Sequence, residues 1–216
     1  MAESLDTRSL LIDATVKELV KTGAGVLRVS VIAQEVGISE ASVYHFFKNK
    51  LDLVESAQIE SYRRSHLEMV IPFQAAVDLS ETIDDFNRAI RKLFSMIHAP
   101  ERHALRAVRA QALGAAMTSQ RLRDALNEIN EEVQGRVIDV IKKAQVLEWV
   151  NPKLEARSLA YWVNAVVHGR VFIEMDPEWG DRSQWDAIAV ESVLRMFDPH
   201  PVGSMRLTAN SPAKVL

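Results

Sequence analysis

Leu122, Leu126, Ile129, Val133, Val137, Val140 and Ala144 recur at intervals of three or four for more than twenty residues. Only an α-helix brings such a series onto one face, so the chain contains a long amphipathic helix that must pack against others. The same reading extends along almost the whole sequence. Ile12, Val16 and Leu19 mark a first helix over 5–22, with Gly23 as its stop. Short helices follow over 29–36 and 39–46, and a longer one runs from Leu51 toward Pro72. Ser80 is expected to cap a helix carrying the stripe Ile83, Phe86, Ile90, Leu93, Phe94 and Ile97. Pro100 suits the first turn of the next helix, which carries Leu105, Val108 and Ala112. Asn151-Pro152 is expected to open a helix reaching Met175, and Ser183 to Asp186 to form a capping box opening a last helix to Phe197. Val26 to Ile32 is β-branched, but a lone strand would leave its backbone groups unpaired, so this stretch reads as a loop entering a short helix. The expectation is an all-α chain of about nine helices.

Composition narrows the setting. Hydrophobic residues make up 48% of the 216 and charged residues 25%, the balance of a globular chain and not of a disordered one. There is no cysteine, which removes disulfides and thiolate sites and fits a reducing, cytoplasmic setting. The N-terminus lacks the basic and apolar regions of a secretory signal. The most apolar run, Ala160 to Ile173, contains Asn164, His168 and Arg170 and is too short to span a bilayer, so no membrane partner is expected. Net charge is −3, and residues 1–72 carry eight Lys and Arg against ten Asp and Glu. Any nucleic-acid binding must therefore come from the placement of a few cations and not from a bulk basic patch.

The segment Gly37-Ile-Ser-Glu-Ala-Ser-Val-Tyr-His-Phe-Phe-Lys-Asn-Lys50 mixes small polar residues with aromatics. Two short helices joined at Gly37, after a longer one, give the layout of a helix-turn-helix. Ser39 is a good N-cap. The next helix would turn Glu40, Ala41, Ser42, Tyr44 and His45 outward while Val43 and Phe46 pack back. Small residues at its leading end allow approach to the floor of a major groove, and Tyr44, His45 and Lys50 reach toward phosphates.

Ile32-Ala33, Gly37-Ile38-Ser39, Val43-Tyr44-x-Phe46 and Lys50 followed by Leu53 resemble the DNA-binding domain of TetR-family transcriptional regulators, as does Leu11-Ile12-Asp13-Ala14 with Gly23. The resemblance covers roughly residues 8 to 55. It departs at Arg28, where Ser or Thr usually caps the second helix, and at Phe47 and Asn49, which replace small residues or proline. Glu40 sets a carboxylate on the DNA face. The resemblance implies a helix-turn-helix head at 1–50, a larger helical ligand-binding and dimerisation domain at 51–197, and a flexible tail at 198–216. It implies DNA contacts from Ser39, Glu40, Ala41, Ser42, Tyr44, His45, Lys48 and Lys50.

The resemblance further implies a homodimer through the last two helices, with Gly169 allowing close approach. Val163, Val166, Trp185, Val193, Leu194 and Phe197 are expected at that interface, because helix 152–175 is apolar nearly all round and needs cover on both sides. An effector pocket is implied between the middle helices, with Tyr62, His66, Phe86, Ile90, Arg109, Trp162, Asn164 and His168 as its candidate residues. The function expected is a ligand-responsive regulator, a repressor that binds a palindromic DNA operator as a homodimer and is released by a small amphipathic organic effector. Neither catalytic residues nor a cofactor are expected. His98 and His103 stand five apart, a poor spacing for one helix face, so no metal site is expected either. Two rivals remain open. One is a helical interaction protein that keeps the head without binding DNA, which the acidic head favours. The other is an all-helical enzyme, against which the chain offers no Glu-x-x-His pair, no Gly-rich phosphate loop and no cysteine nucleophile.

Overall fold

The structure, a computed structural model, describes residues 2–200, with side chains from Asp6 onward. The tail expected at 198–216 falls outside the described residues from position 201. Among the described residues there are nine α-helices and no strand. They run α1 (Ala2–Thr22), α2 (Val29–Val36), α3 (Glu40–Val43), α4 (Lys50–Asp78), α5 (Ile83–Ile97), a 3₁₀ turn (Pro100–Arg102), α6 (His103–Ala116), α7 (Gln120–Val146), α8 (Ala156–Glu174) and α9 (Ser183–Phe197).

Three apolar clusters organise the chain. The head core gathers Leu11, Leu27, Ile32, Val43 and Phe47 with Leu53, Val54 and Ala57 from the first turns of α4, and Val108 of α6 closes it from the body. A middle cluster joins Tyr62 and Val70 of α4 to Leu122, Leu126, Ile129 and Val133 of α7. The largest cluster packs α4, α5, α7, α8 and α9 together, with Phe86 stacked between Trp149 and Phe197 at centroid distances of 5.7 and 6.1 Å. α4 takes part in all three. At 1.5 Å per residue its 29 residues span roughly 43 Å, so one helix links the head to the far end of the body.

Several helix ends differ from the sequence expectations. α4 does not stop before Pro72 but passes through it to Asp78; the proline costs one backbone donor, and packing of Phe73, Ala76 and Val77 on the far side holds the helix together. Thr82, and not Ser80, caps α5, in a capping box with Asp85. Ser80 instead bonds back to the Ala76 carbonyl. Asn151 caps a turn, its Oδ1 accepting from Lys153 N at 3.0 Å, and α8 begins only at Ala156, capped by Glu155. Ser183 is the first residue of α9 and no side chain caps that helix from Arg182; the Asp181 carboxylate accepts from the Ser183 amide instead. At α5, α8 and α9 a neighbouring side chain, Thr82, Glu155 or Asp181, takes the place of the expected cap, which spacing alone does not distinguish.

Candidate functional site

In the head, α2 ends at Gly37, whose φ of 79° is the left-handed conformation a glycine adopts without strain. Ile38 N then donates to the Ala33 carbonyl at 3.0 Å, closing the turn. Ser39 caps α3 by accepting from Ser42 N at 3.1 Å, and the two serine hydroxyls lie 2.7 Å apart. α3 proper is short. Beyond Val43 the backbone tightens into turns, with Tyr44 N, His45 N and Phe46 N each donating three residues back. Arg28 supplies no side-chain cap to α2.

All eight candidate DNA-contact residues lie on one stretch of surface: Ser39, Glu40, Ala41, Tyr44, His45, Lys48 and Lys50 are exposed and Ser42 is half-buried. Val43 is fully buried beneath them. The two departures at the end of this segment have structural roles. Phe47 is 2% exposed and forms part of the head core, beneath the Arg8 guanidinium. Asn49 caps α4, its Oδ1 accepting from Asp52 N at 2.9 Å, while the Asp52 carboxylate accepts from Lys48 N at 2.8 Å. The capping pair fixes Lys48 and Lys50 where the head surface meets α4.

In the body, a mainly apolar cavity of about 70 Å³, room for roughly five waters, lies between α4, α5, α7, α8 and α9. Of the eight candidate ligand residues, His66, Ile90 and Asn164 line it. Tyr62, Arg109 and His168 do not, but they gather around His66. The His66 ring stands 4.1 Å from Tyr62 and 5.8 Å from His168, and Arg109 is close enough to both histidines for its charge to push their pKa down. Phe86 and Trp162 are not in the wall; Phe86 is fully buried in the main core, where Trp162 packs half-buried. The stripe Leu105–Val108 does not form a wall either, because α6 turns Val108 to the head core.

The cavity has a polar end. α4 and α7 run in the same direction, since Glu55 meets Arg121, Tyr62 meets Asn130 and Asp78 meets Lys143. His66 and Gln134 therefore lie together at one end of the lining, with Phe73 and Ile141 toward the other. Burial holds His66 at a pKa of about 4 and His168 at about 3, so both rings are neutral at pH 7. Arg109 is pushed down to about 10 by burial and remains a cation. His66 Nε2, His168 Nε2, Arg109 Nε and Gln134 Oε1 are all buried without a hydrogen-bond partner among the described residues. Gln134 was not anticipated from the sequence, since it sits one residue off the α7 apolar stripe and no spacing signals that its amide faces a cavity.

The residues expected at a subunit interface are mostly internal. Val193, Leu194 and Phe197 are buried in the subunit's own core, and Val163, Val193 and Phe197 line the cavity. Val166 packs half-buried on the same core. Trp185 is tilted against His98 at 5.4 Å and lies over Gly169, where an added Cβ would stand 3.8 Å from its ring. The α8–α9 surface instead exposes Tyr161 and Phe172 on α8 and Ile188 on α9, with Phe172 71% exposed. Tyr161, Ala165 and Phe172 stand at offsets 4 and 11, one helix face, and that signal was available in the sequence.

Residues 11–57, which contain the whole turn just described, match the family described as bacterial regulatory proteins, tetR family. The chain carries a TetR-family head. Beyond the head, the likeness is one of fold alone. A TetR-family transcriptional regulator from Cytophaga hutchinsonii superposes with a TM-score of 0.69 at 19% identity, covering 94% of this chain and 99% of that one. The fatty acid degradation regulator FadR from Bacillus halodurans gives 0.63 at 17% identity, over 87% of this chain and 94% of that one. FadR from Bacillus subtilis, in complex with stearoyl-CoA, gives 0.62 at 19% identity, over 87% and 98%. No curated protein matches the chain by sequence. Among the described residues, no helix is long and apolar enough to cross a membrane.

Proposed function

We propose that the chain is a cytoplasmic, homodimeric transcriptional repressor whose hold on DNA is released by a small amphipathic effector. The observation that carries this reading is that one helix serves both sites. α4 completes the head core with Leu53, Val54 and Ala57, then walls the cavity with His66, Met69, Val70 and Phe73. A ligand that favours a different seating of α4 in the cavity shifts the head as well, and only differential affinity for the two arrangements is needed.

The head, residues 1–50, would set α3 in a major groove. Ser39, Glu40, Ala41 and Ser42 approach base edges there, while Tyr44, His45, Lys48 and Lys50 reach backbone phosphates. The body, residues 51–197, would hold the effector and pair with a second copy through the exposed face of Tyr161, Phe172 and Ile188. Two heads then meet successive major grooves about 34 to 36 Å apart on a palindromic operator. That stearoyl-CoA is bound by a regulator of this fold supports an apolar-tailed effector, although about 70 Å³ calls here for something far smaller.

Selection of bound sequences from a random duplex pool tests the reading. Recovery of a palindrome is the expected result, and equal binding of all sequences would reject an operator. Absence of any DNA binding at low salt would favour the rival reading of a helical interaction protein.

A further inference from the structure

The buried polar atoms at the His66 end of the cavity differ as hydrogen-bonding groups. His66 Nδ1 lies 2.9 Å from the Tyr62 carbonyl oxygen. A carbonyl only accepts, so that nitrogen carries the ring's proton and Nε2 of the neutral ring is a bare acceptor. Gln134 Oε1 is a second acceptor with no donor. Against these stands Arg109, 6% exposed, whose one hydrogen bond is a long 3.4 Å contact from Nη2 to the Ser65 carbonyl. Its Nε has no acceptor, and the carboxylate that acts on its charge, Glu68, does so through space and not by a hydrogen bond among the described residues.

A ligand head in the cavity meets His66 and Gln134 directly, while Arg109, behind His66 and out of the wall, is reached only through its charge. A bare carboxylate offsets Arg109 but sets a lone pair against His66 Nε2. An alcohol has one O–H, which answers one acceptor, and leaves the guanidinium uncompensated. A carboxyl group that arrives with one proton sets that proton between one of its oxygens and His66 Nε2, its second oxygen accepts from the Gln134 amide once the NH2 turns to the ligand, and its negative charge offsets Arg109 through space. The rise along α4 from His66 to Phe73 gives the lining a length of roughly 10 Å, which suits a short unbranched tail.

We propose that the cavity takes a small unbranched monocarboxylic acid, its carboxyl end at His66 and Gln134 and its tail toward Phe73, bound together with one proton shared between a ligand oxygen and His66 Nε2. The assignment rests on the cavity being the effector site. The groups facing His66 determine its proton response. Tyr62 on α4 is a neutral phenol donating to Asn130, with its pKa raised by burial. His168 on α8 is neutral, α7 presents the uncharged Asn130 and Gln134, and α5 presents Ile90 and Phe94. Arg109 on α6 is the one charged group of this set, and it repels a proton on His66 until an anion accompanies it. Uptake of the acid and of the proton is therefore coupled. Above the pKa of the free acid, near that of an ordinary carboxyl, affinity should weaken about tenfold per pH unit.

Titration calorimetry of the full chain with sodium butanoate tests this, run at pH 7 in buffers of different ionisation heat. Uptake of close to one proton per butanoate is expected, with Kd rising about tenfold per pH unit between pH 6 and 8. His66→Gln, whose amide donates to a carboxylate directly, should bind butanoate without proton uptake and without that pH dependence. Butanoate binding with no proton uptake, 1-butanol binding as tightly as butanoate, or no butanoate binding at all overturns the acid assignment. Operator release reads the wider proposal separately. A neutral ligand that releases the operator would leave the regulator reading standing while the acid assignment falls.

Discussion

Arg106 on α6 and Arg170 on α8 share one carboxylate. Arg170 Nη1 lies 2.9 Å from Glu174 Oε1, and Arg106 Nε lies 3.0 and 3.1 Å from the two Glu174 oxygens. Arg170 also holds Asp186 of α9, Nε to Oδ1 at 2.6 Å and Nη2 to Oδ2 at 3.2 Å. Burial alone would raise the Glu174 carboxyl; the hydrogen bond and charge of Arg106 outweigh it and hold the group below the ordinary carboxylate range. The network ties three helices together at the end of the body opposite Trp149.

Glu174→Gln should therefore destabilise the fold more than a surface substitution does. It leaves two buried guanidinium groups sharing a neutral amide, and breaking one partner of a buried pair costs about 3–5 kcal/mol. A urea midpoint within error of the native value would show that Asp186 satisfies Arg170, and the Ile97 and Ala99 carbonyls satisfy Arg106, without the Glu174 charge.

The exposed α8–α9 face makes the dimer prediction residue-specific. Phe172→Glu should leave the subunit folded and split the dimer, because a carboxylate buried without a partner at an apolar interface outweighs the contact it replaces. Phe197→Glu should instead unfold the subunit, since Phe197 stacks on Phe86 in the core. Sedimentation of each variant beside its circular dichroism separates the outcomes. A folded Phe172→Glu dimer would remove this face from the interface.

The head was legible in the sequence because each of its signals is local. Gly37, Ser39 and the turn between them act through bonds three to five residues long, and the spacing that shows them is also the geometry that forms them. The helices of the body were legible for the same reason. What escaped depends on where two helices touch. Phe197 and Val193 looked like surplus apolar surface, because counting residues on α9 alone does not show that Phe86, Ile90 and α7 cover them. Likewise Arg109 and His168 suited a ligand site by residue type, but only packing shows them behind His66 and out of the cavity wall.

Buried neutral histidines make stability depend on pH in one direction. His66 titrates at about 4 and His168 at about 3 in the fold, against about 6.5 in an unfolded chain. As pH falls below 6.5 the unfolded state takes up these protons first, so stability is lost from about pH 6.5 down to about pH 4 for His66 and about pH 3 for His168, and is unaffected above pH 7. Each histidine contributes a slope of about 1.4 kcal/mol per pH unit, or roughly 2 kcal/mol by pH 5. Urea unfolding at pH 7 and pH 5 measures the loss, and His66→Gln should reduce it. Equal midpoints at the two values would mean that these rings are charged or hydrated in the native state.

The head yields a prediction that separates phosphate contact from base contact. Lys50 is the exposed first residue of α4, fixed beside the Asn49–Asp52 cap, and Tyr44 is 44% exposed on the turn after α3. If both reach phosphates, Lys50→Ala and Tyr44→Phe should weaken binding to every DNA sequence alike. The two differ in salt response: Lys50→Ala removes one cation and should lower the slope of log affinity against log salt by about one, while Tyr44→Phe removes a neutral donor and leaves that slope unchanged. Ser42 is the expected base contact, and Ser42→Ala should alter preference at one position per half-site. That substitution leaves the cap intact, since Ser39 Oγ accepts from the Ser42 backbone amide and not only from its hydroxyl. Phe47→Ala serves as the contrast: it empties the head core at a cost of about 3–5 kcal/mol and should abolish all binding through loss of fold. Anisotropy titrations at several salt concentrations, on operator and on random duplex, read all four variants. A Lys50→Ala protein that changes its preferred sequence while keeping the native salt slope would move Lys50 from the phosphates to the bases.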